Sequence, residues 1–159
     1  MNYFINKKLA TKLLLLFCVA VLIIQCNKED MDIDKQNQQE IEDYIQENSL
    51  NALSTASGLY YVIEEPGSDD KPSLTDQVTV HYEGYLTNGQ VFDSSYARNM
   101  PSTFPLNGVI EGWQEGIPLF GKNGKGILLI PSKLGYGAFP PPGIPANAVL
   151  IFNVEVIDF

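Results

Sequence analysis

One stretch of alternating residues constrains the fold more than any other part of the 159-residue chain. Val78, Val80 and Tyr82 are hydrophobic and alternate with polar residues, which is the period-two pattern of a half-buried β-strand. An Asn-Gly pair follows at residues 88–89, and this pair is favoured in tight hairpin turns. Residues 90–93 then return as a second strand. The sequence therefore predicts an antiparallel hairpin with one buried face.

The C-terminal segment, residues 148–158, predicts a long strand in the same sheet. Hydrophobic residues occupy both of its faces, with Leu150, Phe152, Val154 and Val156 on one and Val149, Ile151 and Ile157 on the other. A strand that is apolar on both faces is covered on both sides, so we expect it to be central. Shorter strands are predicted at residues 59–63 and 126–131.

A short helix is predicted between these strands. Ile110, Trp113 and Ile117 recur at i, i+3 and i+7, so a helix from Val109 to about Phe120 would turn one apolar face towards the sheet. The predicted fold class is therefore α+β, with a strongly twisted antiparallel sheet of about five strands wrapped around one short helix.

The first 25 residues have the pattern of a secretory signal peptide. A positively charged start precedes a continuous apolar run at residues 13–24, which is too short for a membrane span of about 20 residues. Residues 23–26, Ile-Ile-Gln-Cys, resemble a lipobox, in which the cysteine is lipidated after cleavage, although Gln25 stands where a small residue is usual. We therefore expect Cys26 to be the site of lipid attachment.

Residues 26–57 are expected to connect this lipid to the main domain. Residues 27–34 are polar and acidic, which is the composition of a solvated tether. Residues 36–48 contain strong helix formers and a narrow apolar stripe, typical of a helix that packs against its own domain. The stripe consists of Ile41, Tyr44 and Ile45. The main domain is expected to comprise residues 58–159.

The charged residues and the cysteines exclude several classes of function. Seven of the ten basic residues lie outside the predicted signal peptide, against all nineteen acidic residues. Phosphate binding needs a basic surface that such a chain lacks, so nucleic acid is not an expected partner. The two cysteines, at 18 and 26, would leave the mature chain without a thiol, and hence without a disulfide or a cysteine metal site. We expect neither a metal nor a cofactor.

Few residues could break a covalent bond. His81 is the only histidine and shares a strand face with polar residues, opposite Tyr82, which is more typical of a structural or surface histidine. Ser94 and Ser95 lack the surrounding sequence of a nucleophile elbow, which argues against a Ser-His-Asp hydrolase. The glycine-rich residues 121–126 lack the Ser or Thr that completes a phosphate-binding loop.

Four runs of sequence carry a family resemblance. They are VHYEGYLTNGQVFDSS, FPLNGVIEGWQEGI, LGYGA and AVLIFNVEVIDF, in this order and at these separations. Together they resemble the FKBP-type peptidyl-prolyl cis/trans isomerases, in particular the bacterial secreted lipoprotein branch, over about residues 58–159. The resemblance implies the same fold, a pocket between helix and sheet, and a place in the bacterial cell envelope. The protein would be lipid-anchored to a membrane and either periplasmic or surface-exposed.

The resemblance also implies roles for individual residues. The catalytic group would be Asp93, Tyr82, Tyr136 and Ile110, with the Ile110 N–H and the Tyr136 hydroxyl binding peptide carbonyls. Arg98 would pair with Asp93 or support its loop, and an exposed loop arginine is the alternative. The substrate-binding residues would be Phe92, Arg98, Phe104, Val109, Trp113, Ile144 and Phe152. Ser102 and Pro141 stand where some members carry an aromatic residue and a histidine.

The implied activity is isomerisation of Xaa-Pro bonds in exported proteins by a non-covalent mechanism. Its partners would be unfolded or proline-containing polypeptides and macrolides of the rapamycin or tacrolimus type. Such a reaction needs no nucleophile or metal, because no covalent bond breaks. The alternative is a lipid-anchored chaperone or peptide-binding module with little turnover, against which the complete set of pocket residues argues.

Overall fold

The computed structural model describes residues 31–159. The predicted signal peptide and the predicted lipid attachment at Cys26 lie outside the described residues, and the division of the chain at residues 26 and 58 stays a prediction. Within the described residues, Gln36–Phe159 form a compact unit. None of the helices described over residues 31–159 has the length and hydrophobicity needed to cross a membrane.

Within residues 31–159, seven strands form one antiparallel sheet. In chain order they are β1 (Leu53–Ser54), β2 (Tyr60–Glu65), β3 (Gln77–Tyr85), β4 (Val91–Ser94), β5 (Ser102–Pro105), β6 (Lys125–Ile130) and β7 (Leu150–Asp158). Their order across the sheet is β1-β2-β6-β7-β3-β4, and β5 also pairs with β3. The predicted α+β class is confirmed, and the sheet has more strands than the expected five. The two-residue β1 is too short to show a pattern, and the four-residue β5 does not follow a turn signal like the Asn-Gly pair that precedes β4.

The described helical segments are two α-helices and three short 3₁₀ turns. Helix α1 covers residues 31–47, and α2 covers Glu111–Gly116. The 3₁₀ turns are Leu106–Gly108, Ile117–Leu119 and Ser132–Leu134. The α-helix therefore ends earlier than the expected Phe120. Pro118 lacks the backbone N–H that a further helical turn would use, and the chain continues as a 3₁₀ turn.

Strand β7 is central, as its two apolar faces predicted. It lies between β6 and β3 and pairs with both. Leu150, Ile151 and Phe152 are buried, whereas Asn153 is exposed. Only the beginning of β7 is therefore covered on both faces.

Helix α1 provides the cover on the outer face of the sheet. Ile41 is fully buried and packs with Leu129 of β6 and Val149, just before β7. Tyr44 and Ile45 are partly buried against the same cluster. The prediction that this helix packs against its own domain is confirmed for the residues from Gln36 onward.

The main core lies between α2 and the other face of the sheet. Two glycines allow α2 to approach β6 closely. A Cβ atom at Gly112 would lie 2.5 Å from Cγ2 of Ile130, and one at Gly116 would lie 2.7 Å from Cδ1 of Leu128. Real Cβ atoms do not approach other atoms so closely, so these positions favour glycine. The close approach seats Trp113 against the sheet.

The predicted hairpin joins β3 to β4. The Gly89 N–H donates to the Leu86 carbonyl at 2.8 Å, and the Leu86 N–H donates to the Gln90 carbonyl at 3.0 Å. Only Gly89 in this turn has a positive φ, at +83°. This is the pattern of a type I turn followed by a left-handed glycine, a common three-residue hairpin connection.

Candidate active site

A pocket of about 490 Å³ opens between α2, the sheet and the segment after β6. Of the eleven predicted site residues, ten line it: Tyr82, Phe92, Asp93, Phe104, Val109, Ile110, Trp113, Tyr136, Ile144 and Phe152. Arg98 does not line the pocket and lies beside Asp93 instead. Gly108, Pro141 and Pro142 also line the pocket and were not predicted. The Pro-Pro-Pro run at residues 140–142 was the available signal, because such a rigid segment presents a fixed apolar surface.

Trp113 is the centre of a cluster of rings at the base of the pocket. Its ring meets those of Tyr82, Phe104 and Phe152 edge to face, with centroids 5.1, 5.9 and 5.3 Å apart. Each such contact contributes about 0.5–1.5 kcal/mol beyond the burial of the rings. Trp113 is only 4% exposed, and its Nε1 has no hydrogen-bond partner within the described residues. The base of the pocket is therefore apolar and closely packed.

The sheet register brings the remaining rings to the same place. Gly84 of β3 lies opposite Asp93 of β4 on one side and Phe152 of β7 on the other. A Cβ atom at Gly84 would lie 2.7 Å from the rings of both Phe92 and Phe152. The missing side chain leaves the space in which these rings meet edge to face, with centroids 5.5 Å apart.

Asp93 is held at the pocket by two neighbours. The Tyr82 hydroxyl donates a hydrogen bond to Oδ2, and Nη1 of Arg98 donates to Oδ1 in an ion pair. Nη2 of Arg98 also donates to the Tyr82 hydroxyl at 3.0 Å and to Oγ of Ser102 at 3.2 Å. The hydroxyl of Ser102 thus helps to hold the arginine beside Asp93.

The pKa values of this network follow from its contacts. Burial alone would raise the pKa of Asp93, but the hydrogen bonds from Tyr82 and Arg98 and the guanidinium charge lower it below its usual value. Burial raises the pKa of Tyr82, and its hydrogen bond to the Asp93 carboxylate raises it further. Burial also raises the pKa of Tyr136, as does the nearby charge of Asp93. At neutral pH Asp93 is ionised and both tyrosines are protonated.

Besides Nε1 of Trp113, two polar groups of the pocket have no partner in the described part of the chain. Ile110 is the N-cap of α2, and its carbonyl accepts from the Trp113 N–H at 2.9 Å, whereas its own N–H has no acceptor within residues 31–159. The Tyr136 hydroxyl likewise makes no hydrogen bond there, and its side chain is partly exposed. Both groups can therefore bind a carbonyl of a ligand.

His81 and Ser95 form a structural pair behind the pocket. Nδ1 of His81 lies 2.9 Å from Oγ of Ser95, and the imidazole stacks on Tyr96 with centroids 4.6 Å apart. The fully buried Ser95 hydroxyl also accepts from the Tyr82 N–H at 2.7 Å and contacts the Tyr82 carbonyl at 3.1 Å. Because Ser95 is occupied in holding the Tyr82 backbone and is closed to solvent, it cannot act as a nucleophile. No group of three His, Cys, Asp or Glu residues that could hold a metal occurs in residues 31–159.

Comparison with known proteins agrees with this geometry. A family profile described as FKBP-type peptidyl-prolyl cis-trans isomerase matches residues 68–157. The chain is 48% identical over 124 residues to the FKBP-type peptidyl-prolyl cis-trans isomerase FkpA of Aeromonas hydrophila, covering 77% of this chain and 46% of that protein. It is 40% identical over 131 residues to FkpA of Escherichia coli strain K12, covering 82% of this chain and 48% of that protein.

Solved structures give the same result. The crystal structure of FkpA from Escherichia coli superposes with a TM-score of 0.72 at 39% identity, covering 83% of this chain and 61% of that one. The crystal structure of AtFKBP13 has a TM-score of 0.63 at 34% identity and is covered to 98%. The chain spans about half the length of the curated relatives it matches. It belongs to the FKBP-type peptidyl-prolyl cis-trans isomerase family.

Proposed function

We propose that this chain is a peptidyl-prolyl cis/trans isomerase that acts on Xaa-Pro bonds of exported proteins. One observation carries the proposal: a pocket with rings packed around Trp113 has an ionised Asp93 at its edge, held by Tyr82 and Arg98. Family membership supports the same activity.

The pocket suits this reaction because no covalent bond has to break. Twisting the peptide bond costs about 18–20 kcal/mol. Water stabilises the planar, charge-separated amide, whereas the twisted amide has lost its resonance and is less polar at oxygen. An apolar pocket therefore favours the transition state over the ground state. Lowering the barrier by about 5–8 kcal/mol would accelerate the reaction about 10⁴- to 10⁶-fold.

The polar groups would orient the substrate in this pocket. The Ile110 N–H and the Tyr136 hydroxyl would bind peptide carbonyls, since neither has a protein partner in the described residues. Trp113 would form the floor under the proline ring. Both carboxylate oxygens of Asp93 already accept hydrogen bonds, so Asp93 would orient the polar groups around the twisting amide and not act as a base. Arg98 would support it, and the other substrate-binding residues would be Phe92, Phe104, Val109, Ile144 and Phe152.

A second candidate function is a chaperone or peptide-binding module with little turnover. The observation that favours it is Phe139, an aromatic side chain that is 95% exposed and stands two positions before Pro141 of the pocket lining. Such a side chain would offer an apolar contact to an unfolded chain. Binding of unfolded chains and isomerisation could use the same groove.

Refolding of a protein limited by a native cis-proline distinguishes the two functions. An isomerase at substoichiometric concentration accelerates the slow phase, which otherwise takes about 10–100 s. A binding module suppresses aggregation of the same protein and leaves the slow phase unchanged. The second outcome would overturn the enzyme assignment.

We further propose macrolides of the rapamycin or tacrolimus type as ligands of this pocket. Trp113 is the single tryptophan of the chain, so its fluorescence reports directly on the pocket. Addition of such a macrolide to folded, active protein is expected to change this fluorescence. An unchanged signal at high ligand concentration would contradict the proposal.

The proposed location is the bacterial cell envelope, where the lipid on Cys26 would anchor the protein to a membrane, periplasmic or surface-exposed. The lipobox-like sequence before Cys26 and the bacterial relatives support it. One acyl chain binds a membrane only marginally, so stable anchoring would use the several chains of a lipoprotein. Labelled fatty acid should appear on the wild-type protein and not on Cys26→Ser. A soluble, unlabelled mature protein would contradict the proposal.

A further inference from the structure

Helix α1 contacts the pocket wall through one buried polar side chain. Asn37 is only 2% exposed. Its Oδ1 accepts a hydrogen bond from the Ser132 N–H at 2.7 Å, and its Nδ2 donates to the Asn147 carbonyl at 3.1 Å. Because one partner can only donate and the other can only accept, the orientation of the side-chain amide is fixed.

The two partners of Asn37 are the ends of the pocket loop, residues 132–147. Two of the hydrogen bonds within the loop meet at Gly137. The Gly137 N–H donates to the Ser132 carbonyl at 2.9 Å, and the Asn147 N–H donates to the Gly137 carbonyl at 2.8 Å. Four hydrogen bonds therefore form a closed ring that runs from Asn37 through Ser132, Gly137 and Asn147 back to Asn37. Gly137, which supplies both a carbonyl and an N–H to this ring, directly follows Tyr136 of the pocket.

Two residues of the ring have a left-handed backbone. Asn147 has φ +57° and Gly137 has φ +56°, and asparagine and glycine are the residues that adopt this region most readily. The tip of the loop is fully in solvent at Phe139. Leu134 and Ile144 pack this loop against the main core, but its tip has little such packing, so the ring of hydrogen bonds contributes to its shape there.

We propose that Asn37 is a positioning residue for the pocket. By binding both ends of the loop it fixes the wall that presents Tyr136, Pro141 and Ile144 to a ligand. It touches no ligand itself, and it lies about 100 positions before the loop in sequence. The role in turnover rests on the proposed isomerase function, whereas the role in holding the loop does not.

Two variants of Asn37 and one control separate this role from general support by α1. Asn37→Ala opens the ring at both side-chain bonds. Asn37→Asp keeps an acceptor for the Ser132 N–H and loses the donor to the Asn147 carbonyl. Ile41→Val is the matched control, because Ile41 lies one turn further along α1, is fully buried and packs with Leu129 and Val149.

Amide hydrogen exchange of the full chain measures the loop without any assay of activity. In Asn37→Ala the amides of Ser132, Gly137 and Asn147 should exchange at least about tenfold faster than in the wild type, because local opening becomes easier. Asn37→Asp should speed exchange at Asn147 and Gly137 more than at Ser132. Ile41→Val should leave the exchange of all three amides unchanged.

Steady-state kinetics on a Xaa-Pro peptide measure the effect on the pocket. In Asn37→Ala, KM should rise about three- to tenfold while kcat changes less than about twofold, since a disordered wall weakens binding and Asp93 and Trp113 stay in place. The conservative control Ile41→Val should keep both constants. This split between KM and kcat would not follow from a general loss of folded protein, which lowers only the apparent kcat.

Two results would overturn the proposal. One is unchanged exchange of the loop amides in both Asn37 variants. The other is an equal change in exchange and KM in Ile41→Val, which would assign the effect to docking of α1 as a whole. A wild-type protein without isomerase activity would instead overturn the proposed function, and the exchange measurements would still decide whether Asn37 holds the loop.

Discussion

The two walls of the pocket are built in opposite ways. The inner wall consists of β3, β4, β7 and α2, and its rings of Tyr82, Trp113 and Phe152 are almost fully buried. The outer wall is the pocket loop, in which Tyr136 is 39% exposed and Phe139 is almost fully exposed. Strand pairing and contacts between aromatic side chains hold the inner wall. Four hydrogen bonds that form a closed ring through Asn37 help to hold the outer wall.

This difference separates stability from recognition. Buried rings contribute to folding and to the pocket at the same time, so a change in the inner wall affects both. A change in the exposed outer wall costs little folding free energy and acts mainly on what the pocket binds.

Truncation of Trp113 should produce the largest loss of stability. Trp113→Ala removes the ring that meets Tyr82, Phe104 and Phe152, and we expect unfolding to require about 3–5 kcal/mol less free energy. Urea unfolding followed by circular dichroism measures the change. Trp113→Leu, which is closer in volume, should fold and retain isomerase activity. A loss below about 1 kcal/mol for Trp113→Ala would show that the inner wall is not a continuous core.

Replacement of Asp93 should affect turnover more than folding. The ion pair with Arg98 is partly exposed, with 42% and 45% of the two side chains accessible, so it contributes about 0–1 kcal/mol to stability. Asp93→Leu should therefore fold. Its kcat/KM on a Xaa-Pro peptide should fall at least tenfold, which equals about 1.4 kcal/mol of transition-state stabilisation.

Binding of an unfolded client is the control for this variant. Asp93→Leu should bind the client about as well as the wild type, because the apolar lining is kept. Unchanged kcat/KM in a folded Asp93→Leu protein would contradict a role of Asp93 in turnover.

The dependence of activity on pH should reflect the same carboxylate. The folded pKa of Asp93 lies below its unfolded value, so its stabilising contribution is present above the ordinary pKa of about 3.9 and is lost as the pH falls through the folded pKa. The pKa values of Tyr82 and Tyr136 are raised, so both stay protonated well above neutrality. We expect kcat/KM to be constant between about pH 5 and 9. A step near neutrality would assign the activity to a different group.

Truncation of Phe139 should produce the smallest change in stability. The side chain is almost fully in solvent, so Phe139→Ala should change the free energy of unfolding by no more than about 0.5 kcal/mol. Thermal unfolding of Phe139→Ala and Trp113→Ala under the same conditions compares the contributions of the two walls to stability. If Phe139→Ala lowered the free energy of unfolding by more than about 1 kcal/mol, the loop would contribute to the core.

The sequence predicts the inner wall better than the outer one. Alternation over β3 and β7 and the helical spacing of Trp113 are local patterns, because side-chain direction follows the backbone period. The family resemblance adds the residues that line the pocket. The roles proposed for them stay predictions.

Other features depend on contacts between residues far apart in sequence. Asn37 lies one turn before Ile41, on the face of α1 that packs against the domain, and nothing near it in sequence marks its bonds to the loop. The glycines of α2 are also ambiguous in sequence, since glycine inside a helix ordinarily weakens it. Their reason becomes visible only beside Ile130 and Leu128. Strand β1 escapes prediction because it is short, and β5 because no turn signal like the one before β4 precedes it.

The glycines of α2 have a consequence for how binding preference can change. Neither Gly112 nor Gly116 lines the pocket, yet both allow the close approach of α2 to β6 that places Trp113 at its base. A methyl group on either glycine would force the helix or the side chains of Ile130 and Leu128 to shift, and Trp113 would shift with the helix. The depth of the pocket can therefore change through substitutions at positions that do not line it.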